Sequence, residues 1–375
     1  MSSIVGQVWS RQGPGQVILD CFIFGDELDV LELRLRLLED VVDTFVLVEA
    51  TNTLSGGEKP LVFAANRDRF DRWRDRIIHV ELGALPEPGP TRKRGLAYQR
   101  NSILQGVARA GMGRPDDVIV VGDVDEIVYS DALRRAAGLL RDGTPSVAFD
   151  LSTSRFYGNW IDDAYRCRVT KAHRRDALTN PHHQRRQEKA AVTIENAGRH
   201  ISTLLAPAEI RTKLAAISDP ELDNERDRDL QHLERCHEYG VALDTRRLLR
   251  RLPDDEWDEI LHALYAMRPD LLHEGPMPPI TRRRRYLAVT RARHHLPIGG
   301  AELAFLDRHT WSAAAGLLAW LVTAAAYVGR RAAAARARLR RSRPATEFPS
   351  APCSVSEPCW RCLFEPGPPD VGQNV

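Results

Sequence analysis

Three carboxylates within four residues, Asp123, Asp125 and Glu126, directly follow the apolar run at residues 118–122. The β-branched content of that run predicts a buried strand. Carboxylates this close together raise each other's pKa, and a divalent cation relieves the repulsion. Oxygen ligands favour Mn²⁺ or Mg²⁺, and ligands of open α/β sheets bind at the carboxyl ends of strands. The spacing therefore indicates a metal site for a phosphate-bearing ligand, with a solvated acidic turn as the alternative.

Composition narrows the class of protein. The chain has 375 residues and a formal net charge of +2. A dedicated nucleic-acid-binding protein is usually far more basic, so we expect no nucleic-acid partner. The six cysteines are scattered, as is typical of a reducing compartment. Residues 1–16, an N-terminal extension, lack the pattern of a signal peptide, and the catalytic part is therefore expected to be cytoplasmic.

Strands and helices alternate on both sides of the acidic turn. Apolar, β-branched runs predict strands at residues 17–24, 45–48, 77–80, 118–121 and 147–151. Helical patterns cover residues 28–38, 98–110, 130–140, 226–250 and 254–267. We expect Asp26 to cap the first of these helices. The alternation is typical of an α/β fold with a parallel-centred sheet and right-handed crossovers.

The C-terminal part differs in composition. Residues 271–343 form a basic and Ala/Arg-rich extension that we predict to be helical, and the Pro-rich residues 344–375 are predicted to be disordered. Segment 311–328 is mostly apolar and, at about 18 residues, is near the lower limit for a membrane span. We favour a packed or membrane-surface helix over a true span, and expect membrane association through residues 311–341.

Several segments resemble glycosyltransferase family 17 in order and spacing. They are DCFIF at 20–24, FVLVEAT at 45–51, QRNSI at 99–103 and DVDEI at 123–127, with a looser match in FYG at 156–158. The resemblance covers about residues 17–240. It implies a GT-A-like, Rossmann-like mixed sheet with flanking helices over residues 17–270. Residues 17–151 would bind the nucleotide sugar and residues 152–270 the acceptor.

The resemblance also implies an activity. It is β-1,4-N-acetylglucosaminyl transfer from UDP-GlcNAc, with a divalent cation and inversion at the anomeric carbon. Asp123 would lie near the donor ribose or the metal, and Asp125 would bind the metal. Glu126 would orient these groups or contact the sugar as a catalytic residue, although a carboxylate at a helix start is equally consistent. The residues expected to contact the donor are Asp26, Glu49, Thr51, Arg100, Asn101 and Asp123.

Inversion needs a general base that deprotonates the acceptor hydroxyl. The family's Gly-Trp-His motif corresponds to residues 198–200, where Arg199 replaces the tryptophan and His200 is a candidate third metal ligand. A lysine matched by Lys213 follows. The family's later His-x-Glu corresponds to Asp219 and Glu221. Glu221 is the first candidate for the base and Asp219 the second, and a solvated loop carboxylate is the alternative for each.

Aromatic residues after position 155 suit an acceptor wall. Tyr157 and Trp160 can stack on the apolar faces of sugars, whereas Phe156 is expected in the core. The expected acceptor is a glycan, a glycoprotein or a lipid-linked sugar. Changes at Arg199 and Asp219 leave open a nucleotide-sugar- or glycan-binding protein that has lost transfer. A haloacid-dehalogenase-like phosphatase ranks last, because its Asp-x-Asp follows the first strand of the fold.

Overall fold

The computed structural model describes residues 16–293 except 90, 91, 112, 187, 217–223, 226 and 244–246. Its strands are β1 (Ile18–Ile23), β2 (Thr44–Ala50), β3 (Ile77–Leu82), β4 (Val118–Asp123), β5 (Glu126–Val128), β6 (Ser146–Arg155), β7 (Tyr157–Cys167), β8 (Lys171–Arg174), β9 (Val192–Ser202) and β10 (Arg250–Arg251). Its helices are α1 (Leu28–Leu38), α2 (Val62–Ala65), α3 (Lys93–Asn101), α4 (Ile103–Arg109), α5 (Ser130–Arg141), α6 (Pro181–Arg186), α7 (Pro207–Ala216), α8 (Leu230–Tyr239), α9 (Glu259–Met267) and α10 (Ile280–Arg293).

One mixed sheet joins these strands. β3, β2, β1 and β4 are parallel neighbours in that order, and β8 then runs antiparallel between β4 and β6. β7 and β10 extend the sheet beyond β6, while β9 pairs with β6 and β5. Ile23 of β1 is in register with Val48 of β2 and Asp123 of β4. The predicted mixed α/β sheet is confirmed, and its parallel strands end together beside the acidic turn.

Helices cover both faces of the parallel strands. Phe22 of β1 packs in one apolar cluster with Leu31 and Leu35 of α1 and with residues of α5. Cys21, on the other face of β1, packs in a second cluster with Ile103 and Val107 of α4. Because each side chain of this size contributes roughly 1.5–3 kcal/mol when buried, the two clusters hold the strand ends in fixed positions.

Three predicted helices have different boundaries. The helix predicted at 98–110 is two helices, α3 and α4, which meet at Ser102. The prediction at 226–250 was wrong beyond α8, because Gly240 ends that helix with a φ of 58° and the chain then turns toward β10. Residues 254–256 form a separate 3₁₀ turn before α9.

Two further sequence predictions concern α1 and the C-terminal part. The N-cap of α1 is Glu27 rather than Asp26, so the predicted cap was one residue early. The apolar segment 311–328 and the tail 344–375 lie outside the described residues. Within residues 16–293, no described helix is long and apolar enough to cross a membrane.

Two helical glycines give a matched test of packing. A Cβ on Gly106 of α4 would lie 2.1 Å from Val46 Cγ1 of β2, whereas a Cβ on Gly138 of α5 would meet nothing within 4 Å. We expect Gly106→Ala to lower the free energy of unfolding by about 1–3 kcal/mol through overpacking. Gly138→Ala should raise it by about 0.5–1 kcal/mol through helix propensity. Urea unfolding of both variants measures this, and equal effects would contradict the close approach of α4 to β2.

Candidate active site

Arg34 anchors the acidic turn from behind. Its guanidinium is fully buried, and Nη2 and Nε donate to the two carboxylate oxygens of Asp20 at 2.6 and 2.7 Å. Nη1 donates to the backbone carbonyls of Asp123, Val124 and Glu126 at 3.0, 3.1 and 2.8 Å. A single side chain of α1 thus satisfies three carbonyls of the turn, which fixes its conformation.

Two arginines hold the carboxylate of Asp123. Arg100 Nη2 of α3 donates to both oxygens at 2.9 Å, and Arg185 Nη2 of α6 donates to Oδ2 at 3.0 Å. Both guanidinium groups are almost fully buried. Although burial alone would lower it, the carboxylates of Asp123 and Glu126 raise the pKa of Arg185 above its ordinary value. Asp123 therefore balances buried positive charge, with only part of its carboxylate exposed.

Glu126 is buried behind the turn, at the start of β5 rather than of a helix. It accepts from Arg185 and Thr170, and from the backbone N–H of Asp123 at 3.0 Å. Although burial alone would raise it, Arg185 and the other donors hold the pKa of Glu126 far below its ordinary value. Glu126 stays ionised and orients the turn, and it does not line the cleft described next.

Asp125 projects into a cleft of about 910 Å³ between the two halves of the chain. The cleft wall includes Asp26 after β1, Tyr157 of β7 and Lys213 of α7. His200 Nε2 of β9 lies 3.5 Å from Asp125 Oδ2. Although burial would lower it, Asp125 raises the pKa of His200 well above its ordinary value, which favours pairing of the two side chains.

The residues predicted to contact the sugar donor lie in different parts of the structure. Asp26 is exposed on the cleft wall. Thr51 lines an adjoining pocket of about 650 Å³ at the ends of β2 and β3. Asn101 instead accepts from the backbone N–H of His182 at 2.9 Å, which positions α6.

Glu49 has a supporting position. Its side chain is fully buried and pairs with His79 Nε2 at 3.1 Å, with Lys59 Nζ at 3.3 Å and with the backbone N–H of Phe63 at 3.2 Å. This contradicts a direct contact to the donor, because the carboxylate has no exposed face. Glu49 instead fixes Lys59, which lies where the cleft and the adjoining pocket meet.

The predicted acceptor residues differ in exposure. Tyr157 lines the cleft, with His237 at 4.6 Å between ring centroids. Trp160 is completely buried between Phe156 and His273, so the expected stacking of Trp160 on a sugar is corrected to core packing. Phe156 also packs in the core, as the sequence indicates.

Arg199 lies away from the reaction centre. Its guanidinium is buried, donates to Asp258 at the start of α9, and donates to Ser154 Oγ at 3.2 Å. Successive residues of a strand point to opposite faces, so Arg199 and His200 face different sides of β9. The replacement of a tryptophan here removes no aromatic platform beside Asp125. The candidate bases Asp219 and Glu221 lie outside the described residues.

The oxygen ligands available at the turn are of the kind that bind a hard divalent cation such as Mg²⁺. Among the described residues no group of three histidine, cysteine or acidic side chains is arranged to hold a metal. Asp123 is occupied by arginines, and Asp125 is the carboxylate of the turn that lines the cleft. Mg²⁺ and similar ions commonly take one or two protein carboxylates and complete their coordination with substrate phosphates and water. Asp125 would supply one carboxylate ligand to a metal of that kind.

Several functional residues were missed by the sequence reasoning. They are Asp20, Glu27, Arg34, His182 and Arg185. A signal existed for the central pair, because Asp20 interrupts an apolar strand and Arg34 follows Leu31 by three residues on the apolar face of α1. Charged residues at core positions are almost always paired. The positions of Asp20 and Arg34 in the sequence therefore indicate that each has a buried partner.

The acidic turn lies at the carboxyl ends of the parallel strands, where ligands of open α/β sheets bind, and sequence comparison gives the family. A profile of glycosyltransferase family 17 matches residues 4–264. The chain belongs to this family, and the structure has the expected mixed α/β sheet with flanking helices.

Curated relatives match a shorter segment. Beta-1,4-mannosyl-glycoprotein 4-beta-N-acetylglucosaminyltransferase of Rattus norvegicus is 35% identical over 128 residues, which are 33% of this chain and 23% of that enzyme. The Homo sapiens protein of the same name is also 35% identical, over 33% of this chain and 24% of its own. The match thus spans about a quarter of the length of these relatives.

Solved structures show a weaker likeness. A mannosyltransferase of Pyrobaculum calidifontis, in complex with GDP-Man and Mn²⁺, aligns over 84% of this chain and 82% of its own, with 16% identity and a TM-score of 0.34. Glucosyl-3-phosphoglycerate synthase of Mycobacterium tuberculosis, in complex with Mn²⁺ and UDP, aligns over 57% and 85%, with 14% identity and a TM-score of 0.28.

The two aspartates of the turn should differ in their effect on stability. Asp123→Asn removes the charge that Arg100 and Arg185 share, and we expect the free energy of unfolding to fall by about 2–3 kcal/mol. Asp125→Asn loses only the longer 3.5 Å contact with His200 and should therefore cost less than Asp123→Asn. Urea unfolding at neutral pH compares them. Equal losses would contradict the supporting position of Asp123.

His182 gives the site a pH dependence. Its Nδ1 accepts from Arg100 Nη1 at 3.3 Å, and burial together with Arg100 lowers its pKa to about 4. An unfolded histidine titrates near pH 6.5, so between about pH 6.5 and pH 4 the unfolded state binds more protons. Stability from a neutral His182 is therefore lost as the pH falls through this window. We expect wild type to lose more stability than His182→Gln on acidification, and parallel curves from urea unfolding would contradict this.

Proposed function

We propose that this protein is a metal-dependent inverting glycosyltransferase that moves N-acetylglucosamine from UDP-GlcNAc to a glycan, glycoprotein or lipid-linked sugar acceptor. The observation that carries the proposal is Asp125, which faces a large cleft from a turn that Arg34 fixes at the carboxyl end of β4. Family membership favours transfer over other reactions at such an edge.

Donor and acceptor would occupy different parts of the cleft. The pocket lined by Thr51 and Asn52 adjoins the cleft through Lys59 and Pro60, and it is the proposed nucleoside position. The diphosphate would then lie toward Asp125. Tyr157, which also lines the cleft, would offer an aromatic face to the acceptor sugar.

Inversion is a single displacement. The acceptor oxygen bonds to the anomeric carbon while the bond from that carbon to the diphosphate oxygen breaks, and a base takes the acceptor proton. Asp219 and Glu221 remain our proposal for the base, since they follow α7, which lines the cleft. A bound Mn²⁺ or Mg²⁺ held by Asp125 would supply Lewis-acid stabilisation of the leaving diphosphate.

A binding protein that has lost transfer is the competing function. In the sequence, the presence of Arg199 in place of the family's tryptophan favoured this competing function. In the structure, however, the Arg199 side chain pairs with Asp258 on the other side of β9 from His200. The substitution therefore gives no support to a loss of activity. The competing function now rests on Asp219 alone.

Release of UDP from UDP-GlcNAc tests the proposal. With Mn²⁺, wild type should release UDP slowly by hydrolysis and faster with a suitable acceptor. EDTA or Asp125→Asn should lower the rate at least about 100-fold, because the charge on the leaving group is then left unbalanced. Asp131→Asn, which removes an exposed carboxylate of α5 outside the cleft, is the matched control and should retain the wild-type rate.

Calorimetry on the same samples separates the two functions. Metal-dependent binding of UDP-GlcNAc without UDP release, in the presence of a panel of acceptors, would favour the binding protein. Absence of both binding and release would contradict a GlcNAc donor. UDP release that neither EDTA nor Asp125→Asn affects would contradict the assigned metal position.

A further inference from the structure

Lys213 of α7 crosses the cleft to the opposite wall. Its Nζ lies 2.9 Å from Glu27 Oε1, and Glu27 is itself fixed by the backbone N–H groups of Gly25 and Asp26 at 3.2 and 3.1 Å. These groups follow the end of β1, next to Asp125 at the end of β4. A cation from the C-terminal half therefore lies at the edge of the sheet where ligands bind.

The ammonium group of Lys213 stays protonated at neutral pH. Although burial would lower it, Glu27, together with Asp125 and Asp26, raises the pKa of Lys213 above its ordinary value. Lys213 and the backbone donors in turn lower the pKa of Glu27 to about 2 against the effect of burial. Lys213 is thus a permanent hydrogen-bond donor in the cleft and is unsuited to act as a base.

Lys213 also differs from the other lysine and arginine residues of the cleft wall. Among the described residues, each of the others contacts at least two oxygen acceptors: Lys59 with Gly25 O, Glu49 and Pro60 O, Arg69 with Asp29 and Glu32, and Arg268 with Asp29 and Asp270. Lys213 has one hydrogen-bonded carboxylate partner. An ammonium has three N–H donors, so two can still meet a ligand.

We propose that Lys213 binds the diphosphate of the donor and stabilises the charge that the leaving UDP acquires, an inference that rests on the proposed function. As the bond between the anomeric carbon and the diphosphate oxygen breaks, its electron pair stays on that oxygen. Lys213 donates an N–H to the diphosphate and keeps its proton. Such a donor acts most strongly where charge develops in a site shielded from water. Glu27 acts as a positioning residue that holds the ammonium in the cleft.

Three variants separate this role from a structural ion pair. Lys213→Gln should lower kcat for UDP release by about 100-fold and weaken UDP binding by about tenfold. Lys213→Arg keeps the charge, so its kcat should be at least about tenfold higher than that of Lys213→Gln. Glu27→Gln breaks the same pair but leaves the ammonium in place, and its loss should be far smaller than that of Lys213→Gln. Lys189→Gln, an exposed lysine outside the cleft, is the surface control.

The outcomes distinguish this inference from the proposed function. If Lys213→Gln and Glu27→Gln lose the same amount of rate and show the same fall in Tm, the two residues form a structural ion pair. That result would overturn the inference. Unchanged UDP release by Lys213→Gln would overturn it while the transferase stands. A wild type that binds UDP but releases none, with weaker binding in Lys213→Gln, would support the diphosphate contact and contradict transfer. A wild type that does not bind UDP would overturn both.

Discussion

The buried pair of Arg34 and Asp20 is the interaction on which the site depends. The turn between β4 and β5 directs the backbone carbonyl groups of Asp123, Val124 and Glu126 toward the buried guanidinium of Arg34. Arg34 supplies all three hydrogen bonds, and Asp20 neutralises its charge inside the sheet. Because Asp20 lies in β1 and Arg34 lies in α1, which packs on the sheet, the conformation of the turn is tied to the buried core of the fold.

The two aspartates of the turn have different partners. Arg100, Arg185 and the buried Glu126 form a network around Asp123, so this carboxylate supports the turn. Asp125 is directed into the cleft, with His200 as its neighbour. Buried, hydrogen-bonded charges of this kind restrain the turn. This restraint therefore lets Asp125 keep one position for a ligand whose binding changes the local charge.

The C-terminal half completes the site from the far side of the cleft. β9 brings His200 to Asp125, and α7 brings Lys213 to Glu27. Both contacts join residues that are distant in sequence, and both carry charge to the edge where the parallel strands end. Strands on both sides of the cleft consequently belong to one continuous sheet.

The sequence alone determined the α/β class and the positions of five of the ten described strands, β1 to β4 and β6. It also singled out residues 123–126 as a candidate site, because apolar periodicity and an acidic strand end are local patterns. It could not assign Glu49, Trp160 or Arg199, since their roles depend on which face of a strand each residue occupies after packing. It also missed Arg185 and the contact of Lys213 with Glu27. Ion pairs between distant residues have no local signature, and only the tertiary structure decided which charges meet.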